Sequence, residues 1–178
     1  MFLSAKRRTL DETIERLYGA IVAQARQPVF YRDLEVPDTM EGRFDMLVLH
    51  VHLLYRRLGG EDVPTRDIAQ GVFDRFIADM DGSLRELGVG DLSVPKRMRA
   101  MGEAFYGRSA VYKAALEAAD NEALAAALLR NVYSNDAGKE EASRRLAIYA
   151  REVTLLLAEK ASAAIVAGQF VFPRPESA

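Results

Sequence analysis

The sequence predicts an all-α fold: a single-domain helical bundle of about six to seven helices around a central buried helix at residues 41–58. Three observations carry this. Apolar residues recur at spacings of three and four along almost the whole chain, with no alternating strand pattern, no internal repeat and no low-complexity tract. Capping residues, prolines and glycines punctuate those runs at helix-length intervals. One segment, 41–58, is apolar around nearly its whole circumference, as a helix in the middle of a bundle must be.

The bounds agree with this reading. A chain of 178 residues fits one domain, expected over 1–178, and buries roughly 70% of the surface its unfolded form exposes. Lys plus Arg number 24 against 26 Asp plus Glu, a net charge of −2, so no global attraction to nucleic acid or to an anionic membrane is expected. The lack of cysteine excludes disulfides, thiolate metal sites and a cysteine nucleophile, and fits a reducing compartment. In MFLSAKRRTL the charges follow a very short apolar run, the reverse of a secretory signal. No window approaches the roughly 18 uninterrupted apolar residues of a membrane span.

Taken in order, residues 9–25 read as a helix opening near Thr9 or Asp11, with Leu10, Ile14, Leu17, Ile21 and Ala25 on one face, and Pro28 ends it. PVFYRDLEV holds one helical turn, and Pro37 forces an extended step. Asp38 and Glu41 form a D-x-x-E capping box for the central helix, which Gly59 and Gly60 stop. Its only polar stripe is Asp45, His52 and Arg56.

Thr65 is the expected cap of the next helix, which ends at about Leu87 with Gly88 as its C-terminal glycine. Ile68, Val72, Phe73, Phe76, Ile77, Met80, Leu84 and Leu87 form its inward face. Asp79 falls at the edge of that face, where an unpaired carboxylate is costly. After GVGDLS, Ser93 is the expected cap and Pro95 sits in the first turn of a helix that Gly107 is expected to kink or divide. Asn121 is the expected cap of an Ala/Leu-rich helix to about Tyr133, and SNDAGK is a polar turn. A last helix is expected over 140–167, with a core stripe and a second stripe of Ile148, Leu155 and Val166. A loosely held tail is expected over 168–178.

Few signals point to chemistry. His50 and His52 lie about 200° apart on one helix and cannot share a metal without ligands from elsewhere. His50 reads as a core histidine with a hydrogen-bond partner. In D-M-D-G at 79–82, glycine follows the second Asp at once and Glu86 is wrongly spaced for a calcium loop. Gly88, Gly90 and Lys96 do not make a phosphate loop, and neither E-x-x-H nor G-x-S-x-G occurs. No catalytic residue, metal or cofactor is expected. Lys96, Arg97 and Arg99, with Arg66 and Arg108, form a basic cluster, read as solvated surface plus one partner for Asp79. The structural pair expected is Asp79 with Arg97 or Arg108.

One family's word order runs through the chain. PVFY, then VPDTMEGRFDMLVLHVHLLYRRL, then FDRFIADMDGSLRELGVGDLSVPKRMRAMGEAFYGRSAVYKAAL and LRNVY resemble the ubiquinol-cytochrome c chaperone family in its short bacterial form, over about residues 10–135. The resemblance implies an assembly factor for the cytochrome bc complex, respiratory complex III, that acts on newly made cytochrome b and is not an enzyme. It implies as partners cytochrome b or another complex III subunit and, as in mitochondrial members, a small partner protein. The expected place is the cytoplasm, with peripheral contact at the cytoplasmic face of the inner membrane. Candidate partner-binding residues are the exposed edges of the family words: Phe30 and Tyr31, acidic Asp74, Asp81 and Glu86, and basic Lys96 and Arg99. The alternative is a generic helical adaptor, a homodimer through the second stripe of the last helix.

Overall fold

The computed structural model describes residues 2–175, with side chains from Arg7 onward. Among these residues are eight α-helices: α1 (Phe2–Ala25), α2 (Pro28–Arg32), α3 (Met40–Gly59), α4 (Val63–Glu86), α5 (Val94–Glu117), α6 (Asn121–Val132), α7 (Glu140–Glu159) and α8 (Ser162–Val166). Six are long and two have a single turn or little more. A 3₁₀ turn at Ala137–Lys139 leads into α7.

The helices begin where a side chain can take up an orphaned backbone N–H. For α3 that residue is Thr39, not Asp38: its Oγ1 accepts from Gly42 N at 3.1 Å, while Asp38 accepts from Arg43 Nε at 2.7 Å. Gly42 is required because a Cβ there would lie 2.0 Å from the Pro37 carbonyl oxygen. For α4 the cap is Asp62, accepting from Thr65 N at 3.1 Å, rather than Thr65 itself. Pro64 lacks an N–H and fits only the first turn, so the helix must start upstream of it. For α6 the cap is Asp120 in place of Asn121, accepting from Ala123 N at 3.0 Å. Ser93 occupies the position before α5 as expected, without a side-chain capping bond. At the far end of α4, Gly88 takes φ +77°, and Gly88 N and Val89 N return to the carbonyls of Arg85 and Leu84. That double closure is the Schellman motif.

The central helix is α3, which packs against α1, α4, α5, α6 and α7. Met46, Val48, Leu49, Val51, Leu54 and Leu58 are all fully buried on it. The buried core runs without interruption from α1 to Phe172. The bundle also encloses His50, which is 0% exposed. Its Nδ1 lies 2.7 Å from the Met46 carbonyl and its Nε2 lies 2.7 Å from Tyr149 Oη. Only an N–H can face a carbonyl, so Nδ1 carries the proton and Nε2 accepts from the tyrosine hydroxyl. Tyr149 Oη in turn accepts from Gln24 Nε2 at 2.9 Å, and that amide also donates to the Pro173 carbonyl at 3.0 Å. Phe30 and Phe172 close the site with edge contacts to the imidazole at 5.6 and 5.5 Å.

Three further expectations need correction. Gly107 neither kinks nor divides α5, which is continuous. The last helix does not run to 167: Lys160 is extended with ψ 137°, separating α7 from α8. Arg57 holds that break, its Nε donating to the Leu157 carbonyl at 2.9 Å and its Nη2 to the Lys160 carbonyl at 2.8 Å. The turn brings Ile165 into the core. The tail is held as far as it is described: Phe172 is 7% exposed and Pro175 is buried, whereas residues 176–178 lie outside the described residues.

Replacing Tyr149 by Phe leaves His50 Nε2 and one Gln24 N–H without partners inside the core. Urea denaturation is expected to show a loss of about 2 kcal/mol, the usual cost of stranding buried polar groups.

Candidate functional site

The polar stripe of α3 faces α5. Arg108 Nη2 lies 2.8 Å from Asp45 Oδ1, with side chains 20% and 6% exposed, and the guanidinium also covers the Phe44 ring at 5.4 Å. Burial pushes the Asp45 carboxyl up to about 7, and the positive charge of Arg108 only partly opposes it. Seven residues on, His52 meets the Tyr112 ring edge-on at 5.9 Å. Burial lowers His52 to about 4, and the charges of Arg56 and Lys113 act the same way. His50 is lowered to about 4 by burial as well. Both imidazoles are therefore neutral in the folded protein at pH 7.

The α4–α5 hairpin packs through aromatic rings. Phe73 lies 4.8 Å from Phe105 and 5.9 Å from Tyr106, and Phe76 lies 5.9 Å from Phe105 and 6.0 Å from Phe44. This ring stack separates two open recesses. Toward the α4–α5 loop is a groove of about 450 Å³, with Met40, Phe44 and Leu47 of α3, Met80 and Leu84 of α4, Leu87 just beyond it, and Met101 of α5. Arg26, Arg43 and Glu86 stand at its rim. Arg26 and Arg43 also line a neighbouring basic recess with Tyr31, Arg32 and Asp38. Met40 is 50% and Leu87 57% exposed, and Leu92, in the loop at the same end of the hairpin, is almost fully exposed. Toward the other end lies a larger recess of about 700 Å³, walled by Tyr55, Phe73, Phe105 and Tyr106.

The candidate residues scatter over this surface. Phe30 is not a surface residue: it is 0% exposed, packed on His50 and Tyr149. Tyr31 is half-buried in the basic recess, its hydroxyl donating to the Ala25 carbonyl at 2.7 Å. Glu86 lies on the groove rim. Asp74 accepts from Gln70 and Asp81 pairs with Arg85, both on the outer surface of α4. Lys96 and Arg99 are exposed at the start of α5, where Arg99 pairs with Glu103. Arg66 opens α4 and so stands at the opposite end of the antiparallel hairpin from Lys96, which disperses the basic cluster.

The proposed buried pair is also corrected. Asp79 accepts from the Tyr18 hydroxyl at 2.7 Å and sits 3.6 Å from Arg75 Nη1. It therefore joins α4 to α1, not to α5. Arg108 is taken by Asp45, and Arg97 is exposed. Sequence reasoning missed the methionine groove because it assigned Leu87 to the inward face. The signal was available: Leu87 is the last residue before the C-terminal glycine, where a helix no longer holds its side chains against the core.

A model of the ubiquinol-cytochrome c chaperone family matches residues 32–172. The chain belongs to that family. The match takes in α7 and α8, which the ordered words did not reach, and begins just after Tyr31. The ubiquinol-cytochrome-c reductase complex assembly factor 1 of Xenopus laevis is 24% identical over 137 residues, 77% of this chain and 68% of the relative. The crystal structure of the Cbp3 homolog from Brucella abortus aligns with a TM-score of 0.87 at 41% identity, covering 98% of this chain and 97% of that one.

Two predictions follow from the ionisable groups. Unfolding lets His50 and His52 take up protons near the ordinary histidine value of 6.5, so the unfolded chain holds more protons and stability falls as pH drops from about 6.5 to about 4. Asp45 works oppositely: between 3.8 and about 7 the folded state keeps a proton that the unfolded state loses. Two groups against one leave a net slope of about 1.4 kcal/mol per pH unit in that window. His50→Gln removes one of the two and is expected to flatten the slope toward zero in denaturation midpoints measured from pH 4 to 6.5. At pH 8, Arg108→Gln strands a buried carboxylate at a cost of about 3 kcal/mol, whereas Asp79→Asn, at a part-exposed site, costs about 1 kcal/mol. Thermal or chemical unfolding of the two variants separates these outcomes.

Proposed function

We propose that this protein is an assembly chaperone for the cytochrome bc complex, respiratory complex III, that binds newly made cytochrome b or another subunit of the complex and catalyses no reaction. Membership of the chaperone family and the name of the Xenopus relative support the assembly role. The observation that carries the binding role is the methionine-lined groove. Unbranched thioethers repack around varied apolar side chains, which suits transient capture of a membrane protein's segment. An apolar helix laid there would bury Met40 and Leu87, which water now covers, and set its polar flank against Arg26 and Arg43. The volume accepts a few side chains, so the hold is local and reversible.

No helix among the described residues is long and apolar enough to cross a membrane. Contact with the inner membrane would be peripheral, at its cytoplasmic face, with Arg26, Arg32 and Arg43 turned toward it. A small partner protein, as in mitochondrial members, would bind elsewhere on the surface. The dimer reading rests on Ile148 and Leu155, 50% and 59% exposed on α7. Val166, the third residue of that stripe, is half-buried on α8. Stable interfaces take ~20–30 residues a side, and sedimentation velocity would decide it.

The test is capture from detergent-solubilised membranes. The wild-type protein is expected to retain cytochrome b, and Met40→Glu with Leu87→Glu to lose it while stability stays within about 0.5 kcal/mol, as for surface changes. Equal capture by the double variant would remove the groove. Normal cytochrome b and complex III levels in a deletion strain would remove the assembly role.

A further inference from the structure

The larger recess is not simply apolar. Three residues of its lining each carry a polar atom that is buried just behind the surface and has no hydrogen-bond partner among the described residues: His52 Nε2, Arg56 Nε and Ser109 Oγ. His52 is 4% exposed. Buried polar groups in folded proteins are nearly always paired, because leaving one bare forfeits its hydration for nothing. Three on one wall of one cavity mark a place where something else supplies the partners. The client groove lies at the other end of the ring stack and uses none of them.

The chemistry of the missing partner follows from what these atoms offer. Arg56 Nε can only donate and keeps its positive charge. Ser109 can donate, and neutral His52 carries one N–H that either nitrogen can present. Lys113 adds an ammonium at the mouth, loosely engaged with Glu117 at 3.9 Å. Arg57 does not compete for the site, since its guanidinium is spent on Glu61 and on the carbonyls of Leu157 and Lys160. With Glu61 offsetting Arg57 and Glu117 offsetting Lys113, the charge left uncompensated at the recess is that of Arg56. Above the donors stand the rings of Tyr55, Phe73, Phe105 and Tyr106, two of them partly exposed.

We infer that this recess is a binding site for a small organic anion, a carboxylate or phosphate monoester on an apolar body, with its oxygens on Arg56, Ser109 and His52 and its body against the aromatic wall. Charge-assisted hydrogen bonds to such an oxyanion are the strong kind, and the aromatic wall removes the apolar body from water. The same chemistry is offered by a free organic acid and by a lipid that carries an acidic headgroup.

The experiment is calorimetry and amide NMR on the full chain with octanoate, octyl phosphate, octanol, inorganic phosphate and vesicles containing an acidic phospholipid. Octanoate and octyl phosphate are expected to saturate one site and shift the amides of His52, Arg56 and Ser109. Octanol and inorganic phosphate are expected to bind at least about tenfold more weakly, since each lacks half of the recognised structure. Arg56→Gln, which removes a group with an unpaired Nε, and Lys113→Gln, at the exposed mouth, are each expected to weaken octanoate by about tenfold with the unfolding midpoint preserved. The same amide shifts with acidic vesicles assign the lipid source, and shifts with the soluble acids alone assign a free acid. Octanol binding as tightly as octanoate, shifts scattered over the surface, or unchanged affinity in both variants would overturn the site. So would displacement of octanoate only by an acidic peptide of the client, at affinities the small acids never approach.

Discussion

The hydrogen-bonded chain from Met46 through His50 and Tyr149 to Gln24 is the constraint around which the bundle is arranged. A histidine placed in the middle of the innermost helix must have both ring nitrogens satisfied, and each bond fixes another element. Nδ1 is satisfied within α3, Nε2 fixes the register of α7, and the tyrosine oxygen fixes α1. Burial holds the imidazole neutral, so the chain has one direction of donation and one packing that completes it. Phe30 and Phe172 are then required as covers, which ties in α2 and the segment after α8.

On the opposite flank of α3 the packing differs. The α4–α5 hairpin is joined to the central helix by aromatic rings, one buried ion pair and a polar stripe that is incompletely partnered. Only a few residues of α5 are fully buried, and Met98 and Met101 are half-covered. One side of the molecule is thus specified by hydrogen bonds with a single solution, and the other by soft apolar contacts that tolerate adjustment. Both recesses lie on the adaptable side. This division suits a protein that must keep its own shape while it accommodates another chain.

The helical architecture and the central position of α3 were legible because 3.6-residue periodicity and circumferential apolarity are local properties. His50 as a core residue was legible for the same reason. The capping residues were displaced by one to three positions because each junction offers several side chains able to accept a bond, and local backbone geometry chooses among them. The partner of Asp79 was not legible. An edge carboxylate announces its need for a donor, but α1 and α5 both border α4, and only the packed fold shows that Tyr18 and Arg75 are the residues within reach. The break after Glu159 was likewise hidden, since Lys160 has no helix-breaking chemistry of its own. It is Arg57, more than one hundred residues upstream, that stabilises the exposed carbonyls there. The recesses depend on tertiary juxtaposition, and no single stretch of sequence encodes them.

Phe172 and the carbonyl of Pro173 reach back to His50 and Gln24. A ribosome delivers those early residues long before the segment that seals them, so the nascent bundle carries an unplugged core until residue 173 has left the exit tunnel. Premature termination between α8 and that point yields a product with a bare imidazole face and a Gln24 amide short of one of its two acceptors. Proteases can recognise such an unfinished copy by its opened seam before it ever meets a client.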